Sequence, residues 1–205
     1  NDEVRYSRDA DAGGLGAVTV DLTLGTAVDG FGNTDTLTSI ENVEGTHLAD
    51  TFTGNEANNT FRGLAGDDTF SGGDGTDIVS YDRDVFNEDA NGNAGTAGVT
   101  VDLIAQTAID GFGDTDTFSG IEGARGTNQI DTLIGDSNNN VFSGLGGADT
   151  LSGGDGTEDE VRYDGDWNDG GLAGVTVNFQ TGQAIDGFGD TDTISGFEIA
   201  RGTQF

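Results

Sequence analysis

The chain has 205 residues with a formal net charge of −31, and it contains 37 glycines but no cysteine. The lack of cysteine excludes disulfides and thiolate metal ligands. Seven scattered arginines, without any lysine, are too few for the basic surface that binds nucleic acid. No apolar run approaches the roughly 18 residues that a membrane span needs. The composition alone is close to that of a disordered acidic chain, but the order of the residues predicts a folded one.

A long repeat divides the chain into units. The strand-like run at 17–22 returns at 98–103 and again at 174–179. Self-similarity at a fixed period is typical of solenoids, in which each repeat packs on its neighbours. We therefore predict one continuous solenoid, a fragment of a longer protein, with the end of a preceding unit at 1–16, whole units at 17–97 and 98–173, and the start of a further unit at 174–205.

A nine-residue repeat runs inside each whole unit, at 45–80 and at 126–162. Each copy begins with glycine, has Asp or Asn sixth and has an apolar residue eighth, except the last, in which the inserted Glu158 moves Asp159 and Val161 one position along. The first six residues favour a tight turn, because glycine, Asp and Asn tolerate left-handed backbone conformations. The last three favour a short strand whose middle side chain points inward. The predicted core residues are Phe52, Phe61, Phe70, Val79, Leu133, Phe142, Leu151 and Val161.

Two consecutive copies form one flattened coil, so the fold class predicted is all-β, a parallel β-roll or β-solenoid with inserted spacer segments. Turns on one edge lie about 18 residues apart and stack. Their facing carboxylates repel one another, but a hard divalent cation converts them into ligands, and Ca²⁺ prefers six to eight oxygen ligands. At least four calcium ions are expected, held by the pairs Asp50 with Asp68, Asn59 with Asp77, Asp131 with Asp149, and Asn140 with Asp159.

Further acidic residues are secondary candidates for calcium ligands. The spacer segment 30–38 fits the nine-residue pattern in part, which brings in one Asp from each spacer. Other acidic residues lie within the nonapeptide turns themselves. The secondary candidates are Asp35, Asp116 and Asp192 in the spacers, and Asp67, Asp74 and Asp155 in the turns.

The nonapeptide at 72–80 resembles the repeats-in-toxin (RTX) repeat, G-G-x-G-x-D-x-U-x. The segment 58–70 is similar to the usual opening of an RTX block, and 18–43 is similar to a spacer found between such blocks. The resemblance implies a parallel β-roll with calcium between its turns. It also implies a secreted bacterial protein, extracellular or on the cell surface, that leaves the cell unfolded through a one-step secretion machine.

No catalytic function is predicted. Carboxylates recur at every turn, whereas an active site is normally singular. The one histidine, His47, is replaced by Asn128 and Gln204 in the internal copies, and amides cannot act as a catalytic base.

The expected function is a calcium-stiffened structural segment of a large secreted protein, of the adhesin stalk, filament or surface-layer type. End-to-end self-association into fibres is a further hypothesis. The alternative is a passive folding and secretion module attached to an extracellular enzyme. Either way, the acidic chain is expected to be largely unfolded without calcium.

Several recurrent residues outside the nonapeptides have two interpretations. Phe31, Phe112 and Phe188 are expected to pack on the roll, and glycan stacking is the alternative. The loops 89–93 and 164–170 resemble an EF-hand poorly, because the twelfth-position Glu is absent. We interpret them as acidic surface loops, with an accessory calcium site as the alternative. Packing at the block ends is predicted for Tyr6, Tyr81 and Tyr163, and pairing with carboxylates for Arg125 and Arg201.

Overall fold

The computed structural model describes residues 2–9, 12–84, 92 and 94–203. These residues form two β-sheets that face each other, and most of their strands are three residues long. The short strands follow from the nonapeptide, which leaves only three residues between consecutive tight turns. One short 3₁₀ helix, Asp166–Asn168, lies within the described residues. The predicted all-β solenoid is confirmed.

The parallel sheet has eight strands, and each pair of neighbouring strands runs in the same direction. Parallel pairing arises because each strand is separated from the next in the sheet by a complete coil. In sheet order the strands are β1 (Glu3–Arg5), β5 (Asn42–Glu44), β7 (Thr60–Arg62), β9 (Ile78–Ser80), β13 (Gly123–Arg125), β15 (Val141–Ser143), β17 (Glu160–Arg162) and β21 (Ile199–Arg201).

The mixed sheet has thirteen strands and contains parallel and antiparallel pairs. In chain order its strands are β2 (Thr19–Asp21), β3 (Thr26–Val28), β4 (Thr34–Thr36), β6 (Thr51–Thr53), β8 (Thr69–Ser71), β10 (Thr100–Asp102), β11 (Thr107–Ile109), β12 (Thr115–Ser119), β14 (Thr132–Ile134), β16 (Thr150–Ser152), β18 (Thr176–Asn178), β19 (Gln183–Ile185) and β20 (Thr191–Ser195). In the sheet they are arranged β18-β19-β20-β16-β14-β10-β11-β12-β8-β6-β2-β3-β4.

The antiparallel pairs come from the spacers. In the middle spacer, β10, β11 and β12 form a three-stranded meander. Strand β12 then pairs in parallel with β8 of the first nonapeptide block, and β10 pairs in parallel with β14 of the second. The spacer therefore continues the mixed sheet from one block to the next. The β18–β20 meander stacks on β16 in the same way.

The eight predicted core residues all point into the space between the sheets, and each is at most 1% exposed. Parallel register places Phe52 opposite Phe70 and Leu133 opposite Leu151. The ring centroid of Phe61 lies 6.0 Å from that of Phe52 and 5.9 Å from that of Phe70. Full burial of such a side chain contributes about 1.5–3 kcal/mol. The core is one residue wide, as the nonapeptide pattern predicts.

The two sheets advance unequally along the solenoid. The unit that begins at β2 supplies five strands to the mixed sheet but only three to the parallel sheet. With neighbouring strands about 4.8 Å apart, these correspond to advances of about 24 Å and about 14 Å. A straight rod of identical coils therefore does not describe the chain.

Most of the arginines lie along the outer face of the parallel sheet, although they are scattered along the sequence. Arg62 Nη1 lies 3.0 Å from Glu3 Oε1, and its Nε lies 2.8 Å from Asp82 Oδ1. Because carboxylates face these guanidinium groups, the face is a row of ion pairs. The predicted pairing of Arg125 and Arg201 with carboxylates is confirmed. Five arginines end strands of this sheet: Arg5, Arg62, Arg125, Arg162 and Arg201.

Candidate calcium-binding turns

The turns that precede mixed-sheet strands carry a first row of stacked sixth-position side chains, which we call the mixed-sheet ladder. The backbone N–H of Asp50 donates to Asp68 Oδ1 at 2.7 Å. In the second block, the N–H of Asp131 donates to Asp149 Oδ1 at 2.9 Å. All four residues are at most 1% exposed. The structure thus brings each of these two predicted pairs together on adjacent coils.

The turns that precede parallel-sheet strands carry a second row, the parallel-sheet ladder. The N–H of Asn59 donates to Asp77 Oδ1, and the N–H of Asn140 donates to Asp159 Oδ1, both at 2.7 Å. The extra residue Glu158 does not prevent this contact. The four side chains are at most 1% exposed. The other two predicted pairs therefore also stack.

Spacer residues extend the mixed-sheet ladder. The N–H of Asp68 donates to Asp116 Oδ1 at 2.9 Å, and the N–H of Asp149 donates to Asp192 Oδ1 at 3.0 Å. Both spacer carboxylates are fully buried. Asp35, in contrast, lies half-buried in β4 at the open edge of the mixed sheet. Two of the three spacer candidates thus join a ladder.

Two glutamates that sequence reasoning missed extend the parallel-sheet ladder. The N–H of Asp77 donates to Glu122 Oε2, and the N–H of Asp159 donates to Glu198 Oε2, both at 2.9 Å. The signal was present in the sequence, because Glu41, Glu122 and Glu198 recur with the spacing of the long repeat. The same stacking makes these two glutamates further candidate ligands.

The remaining candidates in the turns lie outside the ladders. Asp67 Oδ1 accepts the N–H of Thr115 at 2.8 Å at an exposed position. Asp74 and Asp155 are also exposed. Their roles as calcium ligands stay predictions.

The buried carboxylates have too few partners for their charge. In the described part of the chain, Oδ2 of Asp68, Asp77, Asp149 and Asp159 is buried without a hydrogen-bond partner. Burial raises the pKa of Asp68 to about 10, and the charge of nearby Asp116 adds to this. Burial likewise raises the pKa of Asp149 to about 9. At neutral pH the carboxyl groups of Asp68 and Asp149 therefore need a proton or a cation.

The first-position glycines provide close backbone approach at the same turns. A Cβ on Gly63 would overlap Asp68 Oδ2, and one on Gly144 would overlap Asp149 Oδ2. A Cβ on Gly126 would lie 3.0 Å from the carbonyl oxygen of Gly144 on the next coil. Side-chain and carbonyl oxygens thus converge at some of the first-position glycines, such as Gly126 and Gly135.

This donor set fits calcium, which binds carboxylate and carbonyl oxygens. Across the described residues, no three His, Cys, Asp or Glu side chains form a metal-binding group by themselves. A cation at these turns must therefore take backbone carbonyls in addition to the ladder carboxylates. The charge, the orphaned oxygens and the glycine backbone all favour that arrangement.

The recurrent tyrosines tie the spacers to the ladders. The hydroxyl of Tyr81 donates to Asp116 Oδ2 at 2.8 Å, and that of Tyr163 donates to Asp192 Oδ2 at 2.9 Å. All three tyrosines are at most 4% exposed, so the predicted packing is confirmed.

Removal of one tyrosine hydroxyl tests its contribution to stability. Tyr81→Phe is expected to lower the free energy of unfolding by about 1–3 kcal/mol, because it removes a buried hydrogen bond to a carboxylate. Tyr6→Phe is the control, since the Tyr6 hydroxyl lies 3.3 Å from the half-buried Asp35. Urea denaturation at saturating calcium measures both variants. Equal losses would contradict a special role for the buried contact.

The recurrent phenylalanines do not share one environment, and the two acidic loops differ as well. Phe188 packs over Gly146, where a Cβ would lie 3.1 Å from the ring, whereas Phe31 is 50% exposed. Packing therefore holds for Phe188, and glycan stacking stays the untested alternative for the recurrent phenylalanines. The loop 164–170 contains the 3₁₀ helix with a buried Asp166. The loop 89–93 lies outside the described residues apart from Gly92.

Comparison with known families identifies the two nonapeptide blocks. The model of the RTX calcium-binding nonapeptide repeat (4 copies) matches residues 45–83 and 125–157. Comparison with curated proteins gives no match. In the part of the chain that the structure describes, no helix is long and apolar enough to cross a membrane. The chain therefore contains RTX calcium-binding nonapeptide repeats at 45–83 and 125–157, and the β-roll that these blocks form agrees with that match.

Proposed function

We propose that this chain is a structural segment of a secreted protein, and that calcium folds and stiffens it by joining adjacent coils. The observation that carries the proposal is the pair of ladders, in which buried carboxylates stack with orphaned oxygens. The residues that would hold calcium are the four stacked pairs, with Asp116, Asp192, Glu122 and Glu198 at the spacer junctions. Bound calcium would supply the positive charge that these carboxylates lack.

The free energy that four calcium sites would contribute is comparable to the free energy of unfolding of a whole domain. A site with Kd near about 10⁻⁴ M gains about 1.4 kcal/mol at about 1 mM calcium. Four such sites contribute about 6 kcal/mol, within the usual range for the whole free energy of unfolding. Four ions would still leave the net charge strongly negative, starting from −31. The remaining charge keeps chains soluble and opposes collapse without calcium.

The same arrangement supports an extracellular location. Proteins with RTX repeats are typically secreted by bacteria. Calcium sites with Kd values of about 10⁻⁴–10⁻³ M are typical of extracellular modules. We infer that the chain leaves the cell unfolded and folds outside, as part of an adhesin stalk, filament or surface layer. Calcium-dependent folding would serve equally in the alternative role, a folding and secretion module beside an extracellular enzyme.

Self-association end to end is part of the structural proposal. Within the described residues, the two sheets end at β4 and β18 in the mixed sheet and at β1 and β21 in the parallel sheet, each of which pairs with a neighbour on one side. Unpaired edges are templates for pairing with another chain. Sedimentation at high calcium is expected to show oligomers, and a strictly monomeric chain would contradict this part.

One substitution tests whether a ladder carboxylate contributes to calcium binding specifically or only through its negative charge. Asp68→Asn is expected to raise the calcium concentration at the folding midpoint about tenfold, because it removes a buried ligand charge. Glu56→Gln removes the same charge from an exposed turn position that is not a ligand candidate, and it is expected to leave the midpoint unchanged. Far-UV circular dichroism during calcium titration measures both. The same shift in both variants would contradict a specific role for the ladder.

A further inference from the structure

At two of the spacer junctions, a pair of buried carboxylates lies outside the nonapeptide turns. Asp84 follows the first block, and Asp110 begins the Asp-Gly-Phe-Gly loop of the next spacer; both are 1% exposed. Asp84 Oδ2 accepts the N–H of Gly111 at 3.0 Å, which fixes the two loops against each other. Burial raises the pKa of Asp84 well above its usual value, and the charge of Asp110 adds to this. The two buried carboxylates therefore lie near each other where these two loops meet.

The pair recurs with the same contacts at the next junction. Asp166 Oδ2 accepts the N–H of Gly187 at 2.9 Å, and Asp166 and Asp186 are fully buried. Burial raises the pKa of Asp166 to about 7, and the charge of Asp186 adds to this. Because the same arrangement occurs at both junctions, we regard it as a feature of the long repeat.

Each pair holds carboxylate oxygens that nothing in the described chain satisfies. Oδ1 of Asp110 accepts the N–H groups of Phe112, Gly113 and Asp114 at 2.7–2.9 Å, and this fixes the side chain. Its Oδ2 is buried and has no hydrogen-bond partner, and the same holds for Asp186 Oδ2 and Asp166 Oδ1. Such oxygens are costly to bury unless a positive charge or a proton meets them.

The first copy of the loop shows how the chain satisfies this oxygen without an ion. Asp29 Oδ2 accepts the side-chain N–H of Asn33 at 3.2 Å, and Asp29 is only half-buried. The residues equivalent to Asn33 are Asp114 and Asp190. The buried copies thus replace an amide donor by a further carboxylate, which adds negative charge where the orphaned oxygen lies.

We propose that the Asp84–Asp110 pair and the Asp166–Asp186 pair each bind a calcium ion at a spacer junction, in sites separate from the nonapeptide turns. Since no three acidic side chains group together among the described residues, backbone carbonyls complete each site. The carbonyl oxygen of Ala97 lies close to Asp84 and Gly111, 3.4 Å from the position that a Cβ on Gly111 would occupy. These ions lock each spacer meander onto the block before it.

Terbium luminescence tests the second site directly. The one tryptophan of the chain, Trp167, is adjacent to Asp166 in the 3₁₀ helix. Tb³⁺ takes the oxygen ligands of Ca²⁺, and it emits when a neighbouring indole is excited. Tryptophan-selective excitation is expected to give saturable Tb³⁺ emission that excess calcium abolishes. Absence of this emission in folded wild-type chain would overturn the proposal.

A matched pair of variants tests whether the terbium emission comes from this junction site or from the nonapeptide turns. Asp186→Asn keeps an Oδ1 that can accept the N–H groups of Phe188, Gly189 and Asp190, so the loop is expected to form. It should reduce the tryptophan-excited emission at least tenfold, while Asp29→Asn, the equivalent change in the half-buried first copy, leaves the emission unchanged. Unchanged emission in Asp186→Asn would overturn the proposal.

Ion counting distinguishes failure of this proposal from failure of the turn sites. Native mass spectrometry of the double variant Asp110→Asn/Asp186→Asn is expected to show two fewer bound calcium ions than wild type. An equal, non-zero number would overturn the junction sites and leave the turn sites standing. If wild type bound no calcium, both would fall. A proton shared by each carboxylate pair would then account for the orphaned oxygens.

Discussion

The calcium-free chain is expected to gain β structure when the pH falls from about 7.5 to about 5. Burial raises the pKa of both Asp50 and Asp131 to about 6, and it raises the pKa of Asp68 and Asp149 further. In the unfolded chain the same carboxyls titrate near about 4. Without calcium, folding at neutral pH must therefore either bury their charge or take up protons.

The sign of the effect follows from the protons bound in each state. Between about pH 4 and the raised values, the folded chain holds more protons than the unfolded chain, so the free energy of unfolding falls as pH rises. For Asp50 and Asp131, each raised by about two units, the stability lost across this window is on the order of 3 kcal/mol per group. Calcium should make the effect small by replacing the protons.

Far-UV circular dichroism of chelator-treated protein at the two pH values measures this gain. Asp68→Asn should show a smaller pH dependence than Asp74→Asn, because only the first removes a buried titrating group. An equal pH response in both variants would attribute the effect to net charge. A calcium-free chain that loses structure on acidification would contradict the account of the ladders.

Gly72→Ala is expected to cost about 3 kcal/mol or more of the free energy of unfolding at saturating calcium. A Cβ at this position would overlap the carbonyl oxygen of Gly120 and would lie 2.5 Å from Asp77 Oδ2. The obstacle is backbone from the next coil, so the coils would have to separate to admit a methyl group. Separation would also open the parallel-sheet ladder at that turn.

Gly202→Ala is the matched control, since its Cβ would meet only the side chain of Val175 at 3.4 Å, an ordinary contact. Urea denaturation should show a large loss for Gly72→Ala and a change of at most about 1 kcal/mol for the control. Similar losses in both would mean that the close approach of adjacent coils is unimportant for stability.

The nonapeptide blocks were predictable from the sequence because their period is short and strict. A glycine every nine residues fixes where each turn begins, and this fixes which side chain points inward. The same period fixes which sixth-position residues stack, such as Asp50 with Asp68. Three of the four contacts join residues 18 positions apart and the fourth, which spans the inserted Glu158, joins residues 19 apart, so no knowledge of the distant chain was needed.

The spacers were not predictable in the same way. Their middle strand, as in β11, folds back antiparallel after a tight turn, and Gln106 at that turn has φ of 59°. The equivalent residues are Gly25 and Gly182, also with positive φ, so a turn signal was present in two of the three copies. The contacts of Glu122 and Glu198 join residues 45 and 39 positions apart, and the nine-residue period does not reveal them.

The central claim is that calcium in the stacked turns holds the roll together. A calcium titration of chelator-treated protein, followed by far-UV circular dichroism, tests it most directly. The account predicts a coil spectrum without calcium and a cooperative change to a β spectrum near about 1 mM calcium. A stable β spectrum at neutral pH in the presence of chelator would contradict it, since packing alone would then be holding the buried carboxylates in place.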